Sequence, residues 1–208
     1  MKPAKDVFDQ WSKAGRGKDM AKRHWPRVEQ AFSQLPPSTG NYLEIGVGNG
    51  YAIGYIAANQ FSGGNCFGID VSGEMVRQCR ENVTHLGHVT IEQADFLLWK
   101  PSTPKLFDIV FSMEVFYYFH DIQAGIDKAF SILAPEGQLW VLVNFYLENT
   151  ISHDWPQRVG TPMQLWSQAD YKKGFEKSGF VDVNQQLLTD KYAEDGITLC
   201  TIGRKPVV

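Results

Sequence analysis

A doubly wound α/β fold, built on a mostly parallel sheet, is what the sequence predicts. Three observations carry this expectation. From about residue 41, short apolar runs alternate with longer runs of helical spacing, and strands alternating with helices imply a parallel sheet. The run FDIVFSM is almost wholly apolar, as a strand buried on both faces must be. A glycine-rich strand-to-helix turn, LEIGVGNGYAIG, spans Leu43–Gly54, and Gly, Pro, Asn and Asp punctuate the rest at regular intervals.

The elements follow in order. Val7 and Trp11 mark a short first helix. Ala21, Trp25, Val28, Phe32 and Leu35 step by four, three, four and three, which is one apolar helix face; Pro26 is expected to open that helix. Residues 1–40 therefore read as a helical cap, with PPSTG at Pro36–Gly40 as connector. NYLEIG is a strand and YAIGYIAANQF a helix; NCFGID is a strand, and Ser72 N-caps a helix reaching about Leu86. VTIEQA and FDIVFSM are strands. Asp121 caps a helix carrying Ile122, Ile126, Ala129 and Leu133. PEG turns the chain into the strand QLWVLVNF. SQAD at Ser167–Asp170 is a capping box before YKKGFEKSG. VDVNQQLL and GITLCTIG stand too close together for a helical crossover, so they predict a terminal antiparallel hairpin. There are no repeats or low-complexity tracts. The chain reads as one domain, 1–208, with its core at 41–205.

The 208 residues carry 20 basic and 23 acidic side chains, formal net charge −3. That argues against a nucleic-acid partner. Cys66, Cys79 and Cys200 are far apart and form no CxxC pair, so neither a metal site nor a disulfide framework is predicted. The start lacks the apolar run of a signal peptide, and LWVLV, the longest strongly apolar run, is too short to cross a bilayer. The expectation is a cytoplasmic protein with no membrane partner, a monomer or homodimer.

The glycine turn holds the functional signal. A dinucleotide fold wants G-x-G-x-x-G. Counted from Gly46, the third glycine position is Tyr51, and the pattern is instead acid-x-G-x-G-x-G: Glu44, Gly46, Gly48, Gly50. The glycines let backbone approach a ligand closely. Glu44 would repel a pyrophosphate and attract an ammonium. S-adenosylmethionine fits: it has an adenine, a ribose, an ammonium and a sulfonium, and no phosphate. Asp70, at the end of the second strand, stands where a carboxylate grips ribose hydroxyls in doubly wound folds. Asp95 can accept from the adenine amino group, with Phe96 beside the ring. Met75 either covers the adenine or joins the helix core. Met113 reaches the cofactor through its backbone, and Glu114 is a site residue or a structural hydrogen-bonding one.

With these motifs in this order, residues 41–205 resemble the class I S-adenosylmethionine-dependent methyltransferases, of the type 11/12 kind. FDQWSKAGRGKDMAKRHWP and NFYLENTISHDWPQRVGTPM further resemble a prokaryotic subgroup of small methyltransferases. The resemblance implies a seven-stranded Rossmann-like sheet of order 3-2-1-4-5-7-6. It implies S-adenosylmethionine as cofactor, S-adenosylhomocysteine as product and Val71 among the cofactor contacts.

Acceptor groups are expected after the fourth strand, in FYYFHD, and in the 146–165 loop, whose length and chemistry suggest function. Tyr117, His120 and His153 are the catalytic candidates, with Tyr118, Tyr146 and Trp155 shaping the pocket. Histidine is the side chain that titrates near neutral pH. Asp121 beside His120 is read as a helix cap. GRG at Gly15–Gly17 is read as a flexible basic turn; Arg16 either meets the cofactor carboxylate by a bidentate contact or is solvated. His24 is a pocket residue or a satisfied interhelical histidine. The D/N-P-P-[YF] tetrapeptide of nucleic-acid amino methyltransferases is absent, SMEV standing there, which favours a small-molecule acceptor. Two alternatives stand beside methyl transfer. One is a protein that binds S-adenosylmethionine or S-adenosylhomocysteine without transferring; the other is a nicotinamide oxidoreductase, opposed by Glu44 and the missing third glycine.

Overall fold

The computed structural model describes residues 1–101, 106–190 and 196–207. Seven strands form one sheet: β1 Asn41–Ile45, β2 Asn65–Asp70, β3 Val89–Gln93, β4 Phe107–Met113, β5 Leu133–Val143, β6 Val181–Leu188 and β7 Thr198–Arg204. Their order is β3-β2-β1-β4-β5-β7-β6, as expected. β1 to β5 run parallel to one another; β7 is antiparallel to both β5 and β6.

Side chains alternate across each strand, so the sheet feeds two cores. Tyr42, Phe111, Trp140 and Leu142 point to one face. There they meet α2 (Arg16–Phe32), α3 (Tyr51–Ala58) and α4 (Gly73–Val83) through Val28, Phe32, Ile53, Ile56 and Val76. Leu43, Val110, Leu139 and Val141 point to the other. There they meet α5 (Ile122–Ile132) and α7 (Gln168–Ser178) through Ile126, Ala129, Tyr171 and Phe175. The predicted caps form: Ser72 Oγ accepts from the Met75 amide at 3.2 Å, Asp121 Oδ1 from the Ala124 amide at 3.1 Å, and Ser167 with Asp170 closes a capping box.

Four local expectations are corrected. Pro26 does not open a helix; it lies inside α2, which runs through it. The proline removes one helical hydrogen bond. Packing holds the helix together: Val28, Ala31 and Phe32 are fully buried, and the Trp25 and Tyr55 rings are 4.7 Å apart. The GRG turn narrows to Gly15, left-handed at φ 74°, because Arg16 and Gly17 already belong to α2. PEG is not a turn before a strand. β5 begins at Leu133, ahead of PEG, and its register on β4 shifts between Phe107 and Ile109. Glu136, at φ 66°, marks this bulge. Leu133 thus leaves the helix pattern and starts the strand. Lastly, the 146–165 segment is not a plain loop: it holds a 3-10 turn at Thr150–Ser152 and α6, Trp155–Val159.

Before the sheet, α1 (Ala4–Lys13) lies across α4. Asp9 fixes it there, its Oδ1 accepting from Ser72 Oγ at 2.5 Å and from the Glu74 amide at 3.4 Å. Gln78 adds a bond to the Ser12 carbonyl at 3.3 Å. Among the described residues no helix is long and apolar enough to cross a membrane.

Candidate active site

The carboxyl end of β1 opens into three left-handed glycines, Gly46, Gly48 and Gly50, at φ 74°, 54° and 86°. Each has its own reason. A Cβ at Gly46 would collide with Val115 Cγ2 at 2.2 Å. A Cβ at Gly50 would lie 2.6 Å from Cys79 Sγ, so this glycine lets the start of α3 press against α4. At Gly48 a Cβ would meet nothing within 4 Å: the space beside it belongs to a cavity. Gly48 donates its amide to Asp70 Oδ2 at 2.9 Å, and Ser72 donates to Asp70 Oδ1 at 2.8 Å. Asp70 is thereby aimed across the turn. Burial pushes its carboxyl up to about 6, against the bonds from the Ser72 and Gly48 amides.

Glu44 is 3% exposed and sits at the wall of the same cavity. Tyr42, two residues earlier on the same strand face, donates its hydroxyl to Glu44 Oε2 at 3.1 Å. Burial pushes the Glu44 carboxyl up to about 8; the Tyr42 bond opposes this and Asp70 adds to it. A cation brought beside it would favour its ionised form. Glu44 therefore fits the ammonium of an amino-acid-bearing nucleoside, Asp70 fits its ribose, and the bare Gly48 fits close passage of the ligand between them.

The cavity has a volume of about 1090 Å3, room for a cofactor and a second small molecule. Of the predicted cofactor residues, Glu44, Gly46, Gly48, Asp70, Val71 and Met75 line it, and so do Asp95, Phe96, Met113 and Arg16. Gly50 does not; its part is the α3–α4 packing. Met75 is 2% exposed, so it belongs to the core as well as the wall. Asp95 also accepts from the Leu97 amide at 2.9 Å, holding the turn after β3. Phe96 stacks on Phe119 with centroids 5.9 Å apart. Arg16 is exposed and lies over the Trp11 ring at 5.5 Å.

The acceptor candidates divide. Tyr117, Tyr118 and Trp155 line the cavity; His153, His120 and Tyr146 do not. His153 is turned away, with Nε2 3.0 Å from the Leu147 carbonyl oxygen. His120 is exposed after the 3-10 turn Phe116–Tyr118. Tyr146 is 2% exposed within the core on the α5 side. His24 is the one histidine among the described residues that lines the cavity, its ring 6.3 Å from that of Tyr51. Glu114 lines it too, at φ 62° and 9% exposed. It accepts from Tyr117 Oη at 2.9 Å and from the Asn144 amide.

Sequence reasoning missed Tyr42, Tyr51, Arg27 and the α1 contribution of Phe8 and Asp9. Tyr42 had a signal, its i, i+2 position to Glu44. Arg27 had none: it sits on an otherwise apolar helix face, 1% exposed, donating to the Arg23 carbonyl at 2.6 Å and to the Gly196 carbonyl at 3.2 Å.

Residues 43–141 match the family model described as a methyltransferase domain. A sequence search of curated proteins finds no match. Among solved structures, a chain from the complex between the Haloferax volcanii Trm112 methyltransferase activator and a methyltransferase is 28% identical, with TM-score 0.83 and full coverage of both chains. The N-methyltransferase NodS from Bradyrhizobium japonicum, in complex with S-adenosylhomocysteine, is 21% identical over 89% of this chain and 87% of that one, with TM-score 0.68. An S-adenosylmethionine-dependent methyltransferase from Thermotoga maritima is 17% identical over 97% and 99%, with TM-score 0.75. The last two show the fold. Sheet order, the matched domain and a cleft whose acidic end suits the cofactor's ammonium and ribose make the chain similar to the class I S-adenosylmethionine-dependent methyltransferases and support S-adenosylmethionine as its cofactor.

Proposed function

We propose that the chain transfers a methyl group to a small-molecule acceptor held between α1, the 3-10 turn and α6. The observation that carries this reading is the two-ended cavity: Glu44, Gly48 and Asp70 form one end, and Phe8, Tyr118 and Trp155, from three separate elements, form the other. That ring-lined end suits a small compound.

When bound, S-adenosylmethionine supplies an electrophilic methyl on a sulfonium. The chain supplies position and exclusion of water. Glu44 would hold the ammonium, Asp70 the ribose hydroxyls, Asp95 the adenine amino group beside Phe96, and Arg16, on the cavity wall, the cofactor's carboxylate. α1 closes the cleft through the Asp9 latch, which fixes Phe8 over the acceptor end. The acceptor atom must approach within about 3–3.5 Å of the methyl carbon, opposite sulfur. Where that atom holds a proton, His24 is the neutral-pH base on the cavity wall.

The test is incubation of the full chain and methyl-labelled cofactor with a cell extract separated into small-molecule, protein and RNA fractions. Label in the small-molecule fraction is the expected result; label confined to protein or RNA would overturn the reading. A protein partner is a second reading, favoured by the activator bound to the Haloferax volcanii neighbour. Faster label transfer on adding an activator of that kind would support it.

A further inference from the structure

We infer that Ser72 is a positioning residue that ties the seating of α1 over the acceptor end to the filling of the ribose site; this rests on the methyl-transfer reading above. Ser72 is fully buried and stands between two carboxylates. Its amide donates to Asp70 Oδ1 at 2.8 Å, and its hydroxyl donates to Asp9 Oδ1 at 2.5 Å. The same hydroxyl accepts from the Met75 amide at 3.2 Å and so caps α4. One residue therefore joins the cofactor end of the cleft to α1.

α1 is placed to respond. Ala4, Lys5, Phe8 and Trp11 line the cavity, so the position of α1 decides how far that wall is closed. The Phe8 ring meets Tyr118 edge to face, centroids 5.2 Å apart. Beyond α1 the chain turns at Gly15, at φ 74°, where a side chain would meet nothing within 4 Å; a glycine in open space is a permissive hinge. Polar bonds to α4 then fix the helix: Asp9 to Ser72 and to the Glu74 amide, and Gln78 to the Ser12 carbonyl at 3.3 Å.

The coupling has a sign. Asp9 and Asp70 are like charges on two sides of Ser72. Burial lifts the Asp70 carboxyl, the Ser72 and Gly48 amides oppose this, and the Asp9 charge adds to the lift. Half-exposed Lys5 pairs with the other Asp9 oxygen, Oδ2, at 2.9 Å and offsets part of that charge. Ribose hydroxyls that donate to Asp70 draw on its negative charge and relieve its repulsion of Asp9. α1 then seats more firmly. In return, a seated α1 holds Ser72, whose amide keeps Asp70 aimed at the ribose. The two effects are one coupling free energy, so each strengthens the other by the same factor. The acceptor wall is therefore completed after the cofactor is in place.

The test is hydrogen exchange of residues 4–13 in the full chain, alone and saturated with S-adenosylhomocysteine, adenosine or 2′,3′-dideoxyadenosine, with saturation set by calorimetry. S-adenosylhomocysteine and adenosine should slow exchange in α1 by about fivefold or more, and dideoxyadenosine by under about twofold. In Ser72→Ala, which keeps the amide to Asp70, S-adenosylhomocysteine should slow α1 by under about twofold. Its affinity should fall by the same factor that the α1 response loses, a match that mere loss of the α4 cap would not produce. Equal protection by adenosine and dideoxyadenosine would overturn the proposal, as would a full α1 response in Ser72→Ala. Should Ser72→Ala fail to fold, Asp9→Asn, which removes the charge facing Asp70, should also hold the response under about twofold, and an unchanged response there would overturn the coupling. A chain that binds none of the S-adenosylhomocysteine would contradict the methyl-transfer reading itself.

Discussion

Glu44 shows how one residue can oppose folding and serve binding. Its carboxyl is raised from 4.5 to about 8 in the fold. The protonated form therefore stabilises the ligand-free chain below about pH 4.5, and that contribution is lost as pH rises through 8. A bound ammonium reverses the preference, favouring the ionised form. Affinity for the cofactor product should accordingly rise between pH 6 and pH 8. Glu44→Gln should flatten this rise, weaken binding at pH 8 by about tenfold or more, and leave the free variant's Tm at pH 8 equal to or above that of the parent chain. Titration calorimetry and thermal unfolding at each pH check both. An affinity that is flat with pH in the parent chain would mean that Glu44 does not meet the ammonium.

Among the elements, α1 is the one whose function the structure adds most to. It lies over α4 through Asp9, whose carboxyl is held low: burial opposes this, and the bonds from Ser72, Lys5 and the Glu74 amide outweigh it. Asp9→Ala removes the acceptor for Ser72 and for the Glu74 amide. The loss should be about 1 kcal/mol of docking, read as faster hydrogen exchange in residues 4–13, while β1 to β5 remain protected. Cofactor release should quicken several-fold in a stopped-flow assay. Exchange unchanged in α1 would show that Phe8 and Trp11, not Asp9, hold it.

The same scale explains what could be read from sequence. Strands and caps were legible because each rests on local chemistry: period-two apolarity in FDIVFSM, Ser72 and Asp121 beside their helices. The cofactor end was legible because Glu44, Gly48 and Asp70 lie at strand ends, where fold class alone fixes the direction they face. The acceptor end was not. His153 and His120 have suitable chemistry, but a 3-10 turn and a short α6 set their orientation, and neither element has a strong sequence pattern. Pro26 was misplaced because burial of Val28, Ala31 and Phe32 outweighs the lost helical bond. His24 and Arg27 enter the cavity from a cap whose docking angle depends on contacts far along the chain, such as Arg27 with Gly196.

Taken whole, the molecule is a sheet with two cores and one cleft, and the cleft's two ends belong to different layers of organisation. The acidic end is made by β1 and β2, hydrogen-bonded neighbours inside the sheet. The ring-lined end is made by α1, the turn after β4 and α6, which lie outside the sheet. Cofactor binding should therefore survive changes at the acceptor end, whereas a fault at the glycine turn should abolish both. The most direct measurement is calorimetric titration of S-adenosylhomocysteine into the parent chain and into Gly48→Val, with NADH as a control. Gly48 stands at φ 54° beside open cavity, so a β-branched side chain there fills ligand space at a backbone cost of about 1–3 kcal/mol. The account predicts saturable binding of one S-adenosylhomocysteine per chain, none of NADH, and loss of binding in a variant that still unfolds cooperatively. Equal binding by Gly48→Val, or NADH binding in place of S-adenosylhomocysteine, would contradict it.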